Sequence, residues 1–190
     1  MTKIGVLALQ GGSRAHLRSF AALGFGAVAV KSADSLSDVD RLVIPGGEST
    51  TISMMLERND LFDPLAERIA AGMPVFGTCA GMILLASQIS DGRDDQRCFA
   101  AIDLVVRRND YGTQRESFET SVDVPVLGEE PFPAVFIRAP GVVSVGPDVE
   151  VLATHLGSPV VCRQGPALVS SFHPELSTDL RLHRLFCEGG

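Results

Sequence analysis

The stretch from Ile69 to Ser90, IAAGMPVFGTCAGMILLASQIS, carries no charged residue. A run of that length either crosses a bilayer or is buried in protein. Gly72-Met73-Pro74 interrupts it, and Gly77, Thr78, Cys79 and Gly81 follow. A lipid-facing helix would have to absorb each of these breaks. A helix end, a turn, a buried strand and a second helix accommodate them all, so the run predicts the centre of an α/β core. The rest of the chain fits that reading. Its 190 residues are within the size of one hydrophobic core, and 45% hydrophobic with 21% charged residues is ordinary for a globular domain. A net charge of −7 argues against a nucleic-acid binder that relies on a basic face. The N-terminal MTKIGVLALQGG has an apolar run too short for a secretory signal, so a cytoplasmic protein is expected, with no membrane association. Its four cysteines (Cys79, Cys98, Cys162, Cys187) lack CxxC spacing and are expected to be reduced, small and buried. No metal site is expected.

Along the chain, apolar strand patterns alternate with helical ones. Lys3–Leu9 reads as a buried strand ending at Gln10-Gly11-Gly12, and Ser13–Leu23 as a helix with apolar Leu17, Phe20, Ala21 and Leu23, stopped by Gly24. Strands are expected at Phe25–Val30, Arg41–Ile44 and Pro74–Gly77. Helices are expected at Ser49–Leu56, from Asp63-Pro64 to Gly72, with Asp63 as N-cap, and at Ala80–Ser90. Such alternation predicts a parallel sheet covered on both faces. Beyond residue 97 the texture changes. Ser117–Val124 alternates polar with apolar, as a half-exposed antiparallel strand does, and short strands follow at Val135–Ile137, Val149–Ala153, Val160–Cys162 and Leu168–Phe172. Ser177–Cys187 reads as a closing helix with Ser177 as N-cap. Neither a repeat nor a low-complexity linker divides the chain.

Gly77-Thr78-Cys79-Ala80-Gly81 is the cysteine form of G-x-S-x-G at a strand-to-helix junction. A sharp turn there exposes the side chain of Cys79, the glycines let backbone pass closely, and the helix end behind it favours the reactive thiolate. A thiolate that attacks an acyl carbon needs a base and a group that orients the base. Among four histidines, His16 and His183 fall in helices with charged neighbours and read as surface residues, and His155 precedes an exposed turn. His173 ends an apolar strand, and Glu175, two residues on, projects to the same side of an extended chain. Pro45-Gly46-Gly47-Glu48-Ser49 follows a strand and opens a helix, so its N–H groups can hold an oxyanion. It lacks the GKS or GKT of a phosphate loop, and Glu48 would repel phosphate.

GTCAG followed 94 residues later (173 − 79) by HPE resembles the class I, or triad, glutamine amidotransferases. IGVLALQG at Ile4–Gly11, PGGESTT at Pro45–Thr51, PVFGTCAGMILLA at Pro74–Ala86, VVRRNDYG at Val105–Gly112, FIRAP at Phe136–Pro140 and SFHPEL at Ser171–Leu176 narrow the resemblance. Together they are similar to the glutaminase subunit family of pyridoxal 5′-phosphate synthase, PdxT/SNO. Pattern and resemblance together predict one amidotransferase domain over residues 1–190. It would be a flavodoxin-like/Rossmann-like three-layer α/β fold, with a mostly parallel central sheet, antiparallel additions in the C-terminal half and a strand-to-helix nucleophile elbow.

The resemblance implies that Cys79 is the nucleophile, His173 the general acid/base and Glu175 its orienting partner. The N–H groups of Gly47 and Ala80 would form the oxyanion hole. L-Glutamine would be bound by Gly47, Glu48, Ser49, Arg108, Ile137 and Arg138, and Gln10 would sense a partner. It implies no cofactor, and it implies delivery of ammonia to a PdxS/SNZ-type synthase subunit, with glutaminase subunits around a synthase dodecamer. The residues leave open which of Arg107, Arg108 and Arg138 meets the glutamine carboxylate. Tyr111, Thr113 and Gly12-Ser13 depart from the family pattern, and the terminal helix stops early at Gly189-Gly190. A glutaminase of another ammonia-channelling pathway, such as imidazole glycerol phosphate synthesis, would share the triad, but LQG, GGEST and FIRAP argue against it. A DJ-1/PfpI-like protein would place His after the cysteine, where this chain has Ala80.

Overall fold

The computed structural model describes residues 2–93, 95–110 and 117–189. Strands β1 (Ile4–Leu7), β2 (Ala27–Val30), β3 (Arg41–Ile44) and β4 (Val75–Thr78) are short and apolar, and β1, β3 and β4 are almost wholly buried. Between them run α1 (Ser13–Ala22), α2 (Ala33–Ser37), α3 (Ser49–Arg58) and α4 (Phe62–Ala70). Later come β10 (Glu150–His155), β11 (Ser158–Gln164) and β12 (Ala167–Ser170). All seven strands form one sheet in the order β10-β11-β12-β4-β3-β1-β2. From β12 to β2 every pairing is parallel, and β10-β11-β12 is antiparallel. The expected mostly parallel sheet with antiparallel additions is therefore present.

Period-two alternation sorts the sheet side chains into two cores. Leu42, Ile44 and Val75 join Ile52, Leu56 and Leu65 of α3 and α4 on one face. Val43 and Phe76 join Phe20 of α1, together with Leu182 and Phe186 of α6 (Arg181–Glu188), on the other. The hairpin of β7 (Phe118–Val122) and β8 (Phe132–Phe136) extends this second core, with Phe118 and Phe136 stacked across the strands 4.8 Å apart. A separate sheet on the first face contains β5 (Ala86–Ile89), β6 (Ile102–Arg107) and β9 (Gly141–Val145). No helix among the described residues is long and apolar enough to cross a membrane. The charge-free run is the end of α4, a turn, β4, α5 (Ala80–Leu85) and β5.

Some boundaries differ from expectation for physical reasons. The helix expected over Ala80–Ser90 ends at Leu85. Ala86 turns extended (φ −61°, ψ 158°) because the next residues pair with β6, so sheet pairing overrides local helix propensity. The closing helix begins at Arg181, not at Ser177. Pro174–Leu176 forms a 3₁₀ turn, and the Ser177 hydroxyl accepts the N–H of Asp179, while the carboxylate of Asp179 accepts the N–H of Arg181. Helix α4 starts at Phe62, two residues earlier than an Asp63 cap implies. The buried face of α1 is Ala15, His16, Ser19 and Phe20, so the helix is rotated from the face expected of Leu17, Phe20 and Ala21. Strands β6 and β9 and helix α2 were not expected. The Tyr111 and Thr113 departures lie outside the described residues.

Candidate active site

In a parallel sheet all strands end on the same edge, and ligand sites gather where those ends meet. Here β12, β4, β3 and β1 are neighbours in that order, and the chain leaves them through His173, Cys79, Gly46-Gly47 and Gln10 respectively. The four segments that sequence patterns single out separately are thus brought together by strand order.

Cys79 sits between β4 and α5 with φ 49° and ψ −103°, a left-handed conformation that a non-glycine residue adopts at a cost of about 1–3 kcal/mol. The flanking glycines explain how this elbow closes. A Cβ on Gly81 would lie 1.9 Å from the carbonyl oxygen of Ile44, and one on Gly77 would lie 2.6 Å from the backbone of Gly81. Only bare backbone lets α5 approach β3 and β4 this closely. The Cys79 N–H donates to the carbonyl of Ser170 at 2.8 Å, tying the elbow to the end of β12. The Cys79 sulfur faces the carbonyl of Ile137 at 3.8 Å.

The His173 N–H donates to the carbonyl of Val135 at 2.9 Å. Its Nδ1 lies 2.8 Å from Oε1 of Glu175, which leaves Nε2 as the nitrogen free to serve the Cys79 sulfur across the cavity that both residues line. Burial alone would push this imidazole down, but the bonds to Cys79 and Glu175 outweigh it and raise it to about 10. The ring is therefore a cation at neutral pH, placed to donate at both nitrogens. Glu175 is buried, which favours its neutral acid. The hydrogen bond from His173, together with the charge on that ring, holds its carboxyl below the ordinary range. Cys79, His173 and Glu175 thus stand in a continuous line.

A cavity of about 110 Å³ opens on the sulfur, lined by Gly47, Glu48, Ser49, Ala80, Arg108, Ile137, Arg138 and His173 among others. All the residues expected to bind glutamine border it. Arg107 does not line it and pairs instead with Asp110 at 3.1 Å, which leaves Arg108 and Arg138 as the available cations. Arg108 is braced on Asp91, donating to its backbone carbonyl at 2.7 Å, and its buried Nε has no hydrogen-bond partner. Arg138 and Asn109 take positive φ (45° and 52°), so both stand on sharply turned backbone at the rim. Gln10 accepts the Glu48 N–H at 3.0 Å, and its Oε1 packs so closely that a Cβ on Gly47 would lie 2.3 Å away. A larger cavity of about 250 Å³, lined by Arg41, Pro74, Leu168 and Phe186 at the opposite end of β4, contains no nucleophile.

Three expectations about histidines and cysteines need correction. His16 and His183 are fully buried rather than at the surface, because the helices present to the sheet the faces that carry them. Burial pushes His16 down to about 4 and His183 to about 3, so both are neutral at pH 7. Their signal was their spacing. His16 is one turn from Phe20, and His183 lies between Leu182 and Phe186, so each belongs to an apolar helical face. His155 is half-buried, with its ring 5.8 Å from Phe118 and 5.5 Å from Phe136. Cys162 and Cys187 are buried as expected, and burial raises their thiols to about 12 and about 11, whereas Cys98 is only partly buried. Thr78, at the end of β4, was not singled out. Its hydroxyl oxygen accepts the Gly46 N–H at 3.1 Å, and so fixes the loop opposite the nucleophile.

Comparison with known proteins identifies the family. The chain matches the family model of the SNO glutamine amidotransferase family over residues 6–189. Among its relatives, the pyridoxal 5′-phosphate synthase subunit PdxT of Streptomyces avermitilis is 54% identical over 97% of this chain and 92% of that protein. PdxT of Thermotoga neapolitana is 48% identical over 98% of both. A solved structure described as a glutamine amidotransferase superposes with a TM-score of 0.90 at 44% identity, covering 97% of each chain. PurLQS from Thermotoga maritima shares the fold, with a TM-score of 0.71 at 15% identity over 98% of each chain. With the match running through β1, the elbow and the His173 segment, the chain belongs to the SNO glutamine amidotransferase family.

Proposed function

We propose that this protein hydrolyses L-glutamine to L-glutamate and ammonia through Cys79, His173 and Glu175, as the glutaminase subunit of pyridoxal 5′-phosphate synthase. The observation that carries the reading is the line from the Cys79 sulfur through His173 to Glu175 at the mouth of the cavity. The whole chain serves as one amidotransferase domain. The Cys79 thiolate adds to the side-chain amide carbon of glutamine. Negative charge moves to the amide oxygen, which the N–H groups of Gly47 and Ala80 receive. The His173 imidazolium gives its Nε2 proton to the amide nitrogen, the C–N bond breaks, and ammonia departs from a γ-glutamyl thioester. Neutral His173 then takes a proton from water as that water attacks the thioester, and glutamate leaves with Cys79 restored. A guanidinium suits the substrate α-carboxylate, and Arg108, braced on Asp91 with a buried Nε that makes no hydrogen bond, is the stronger candidate of the two at the rim.

Ammonia set free into water would be protonated and lost to the synthesis of vitamin B6. Release is therefore coupled to a PdxS/SNZ-type synthase subunit, which receives it in a complex of glutaminase subunits around a synthase dodecamer. Gln10, bonded to the loop that carries Gly47, is placed to link docking to the shape of the oxyanion hole. A cytoplasmic setting suits four unpaired cysteines. Glutamate release, measured with and without the synthase subunit, tests the assignment. Wild type is expected to be stimulated by the partner and Cys79→Ala to be inactive in both conditions. Undiminished release by Cys79→Ala would remove Cys79 from the mechanism.

A further inference from the structure

The line of polar groups does not stop at Glu175. Its second oxygen, Oε2, is buried and takes no well-formed hydrogen bond. Facing it at 3.4 Å is Nε2 of His16, on α1, with no exposed surface on the imidazole side chain. The same Nε2 lies 3.2 Å from the Thr78 hydroxyl, which already accepts the N–H of Gly46. On its other side, Nδ1 of His16 lies 2.9 Å from Nε2 of His183, on α6. Phe76 and Phe20 enclose the two rings edge-on. The groups that titrate around Glu175 are thus His173 from its own segment, His16 from α1, His183 from α6 behind it, and Cys79 beyond His173.

Both rings are neutral, so each carries one proton, and the single contact between them holds one hydrogen. If Nδ1 of His16 carried that hydrogen, its Nε2 would turn a lone pair toward a buried carboxylate oxygen, and Oε2 would have no donor. Such an orphaned, charged acceptor is expensive to bury. If His183 Nε2–H donates to His16 Nδ1, then His16 Nε2–H points between Oε2 of Glu175 and the Thr78 oxygen, and each acceptor has a donor. What remains unpaired is Nδ1 of His183, a neutral acceptor, and it is buried without a partner.

We infer that His16 is a positioning residue for the proposed reaction: in the tautomer set by His183, its Nε2–H donates to Glu175 and fixes that carboxylate as the acceptor for His173. Through Thr78 the same ring also touches the Gly46 loop, so it braces the acid and the oxyanion side of the site together. His16 touches no reacting atom.

This inference rests on the triad reading above, and its test separates the two. Glutamate release is measured against pH, in the presence of the synthase subunit, for wild type, His16→Leu, His16→Gln and Cys79→Ala. Leu has no donor, so Glu175 is harder to keep ionised. The acid limb of kcat/KM is expected to move up by about one pH unit, a tenfold loss at a given acid pH, with KM at neutral pH unchanged. Gln carries an amide N–H near the position of Nε2 and is expected to restore the wild-type limb. An acid limb that stays in place in a folded His16→Leu protein overturns the inference. So does a limb that moves equally in Leu and Gln. Should His16→Leu not fold, ¹⁵N spectra of the wild-type imidazoles decide instead: His16 is expected as the Nε2–H tautomer, and an Nδ1–H tautomer overturns the inference. Glutamate release by Cys79→Ala would overturn the triad reading and leave the tautomer measurement standing. An inactive Cys79→Ala with an unmoved acid limb would overturn the role of His16 alone.

Discussion

At the scale of the residue, strain and close approach concentrate on a few backbone positions. Cys79 holds φ 49° because β4 and α5 meet there without a loop. Glycine adopts that conformation freely, so Cys79→Gly is expected to be at least as stable as Cys79→Ala, by about 1 kcal/mol in denaturant titration, while both release no glutamate. Gly46 shows the complementary case. A Cβ there would lie 2.3 Å from Cε1 of His173. Gly46→Ala is expected to displace the ring and lower kcat by 10²-fold or more, with circular dichroism unchanged. Normal activity in that variant would show that His173 has room to move. The triad was readable because Cys79 is flanked by its glycines and Glu175 is two residues from His173. His16 and His183 were not, because their role depends on which faces of α1 and α6 meet the sheet, and the charged neighbours Arg14, Arg18 and Arg184 concealed those faces.

At the scale of the element, the parallel strands were legible and the ends of helices were not. β1, β3 and β4 are short, mostly apolar runs bounded by glycine or proline turns, the pattern of strands covered on both faces. The apolar run after Cys79 does not tell helix from strand, and the pairing of β5 with β6 decides it. Helix α6 shows what a short terminal helix needs. Phe186 packs 5.6 Å from Phe76 and 6.5 Å from Phe20, and the Arg41 guanidinium donates to the Phe186 carbonyl at 2.7 Å. Phe186→Ala is expected to cost about 3–5 kcal/mol in urea titration. Because α6 also carries His183, the loss should extend to activity under conditions where the variant is still folded. A variant with full stability would place the anchoring of α6 elsewhere.

At the scale of the molecule, the buried histidines make stability depend on pH in two directions. His16 and His183 fold with depressed values, about 4 and about 3, against an unfolded value near 6.5. Between those limits the unfolded chain binds more protons, so their contribution is full above pH 6.5 and is lost as pH falls toward 4. Glu175, also depressed, loses its contribution below the ordinary carboxylate range. His173 behaves oppositely. Its folded value is raised to about 10, so its contribution is full below pH 6.5 and is lost as pH rises toward 10. Stability is therefore expected to peak near neutral pH, and replacing His16 and His183 together by Gln and Phe should flatten the acid side between pH 6.5 and 4. An unchanged acid slope in the double variant would mean that the two rings are not neutral in the fold. Legibility followed the same division. That Gln10, Gly46-Gly47 and Cys79 follow parallel strands was implied by the α/β alternation, whereas the strand order that sets His173 beside them, and the second core built from α1, α6 and the β7–β8 hairpin, depend on contacts between distant segments.

The central claim is that Cys79 carries the glutamyl group between two half-reactions. It is tested most directly by mixing the protein with glutamine and the synthase subunit, quenching in acid during turnover, and measuring the mass of the intact chain and of its peptides. The account predicts a species heavier by one γ-glutamyl group, localised to the peptide containing Cys79, sensitive to hydroxylamine and absent from Cys79→Ala. Turnover without that species, or the same adduct on another residue, would contradict it.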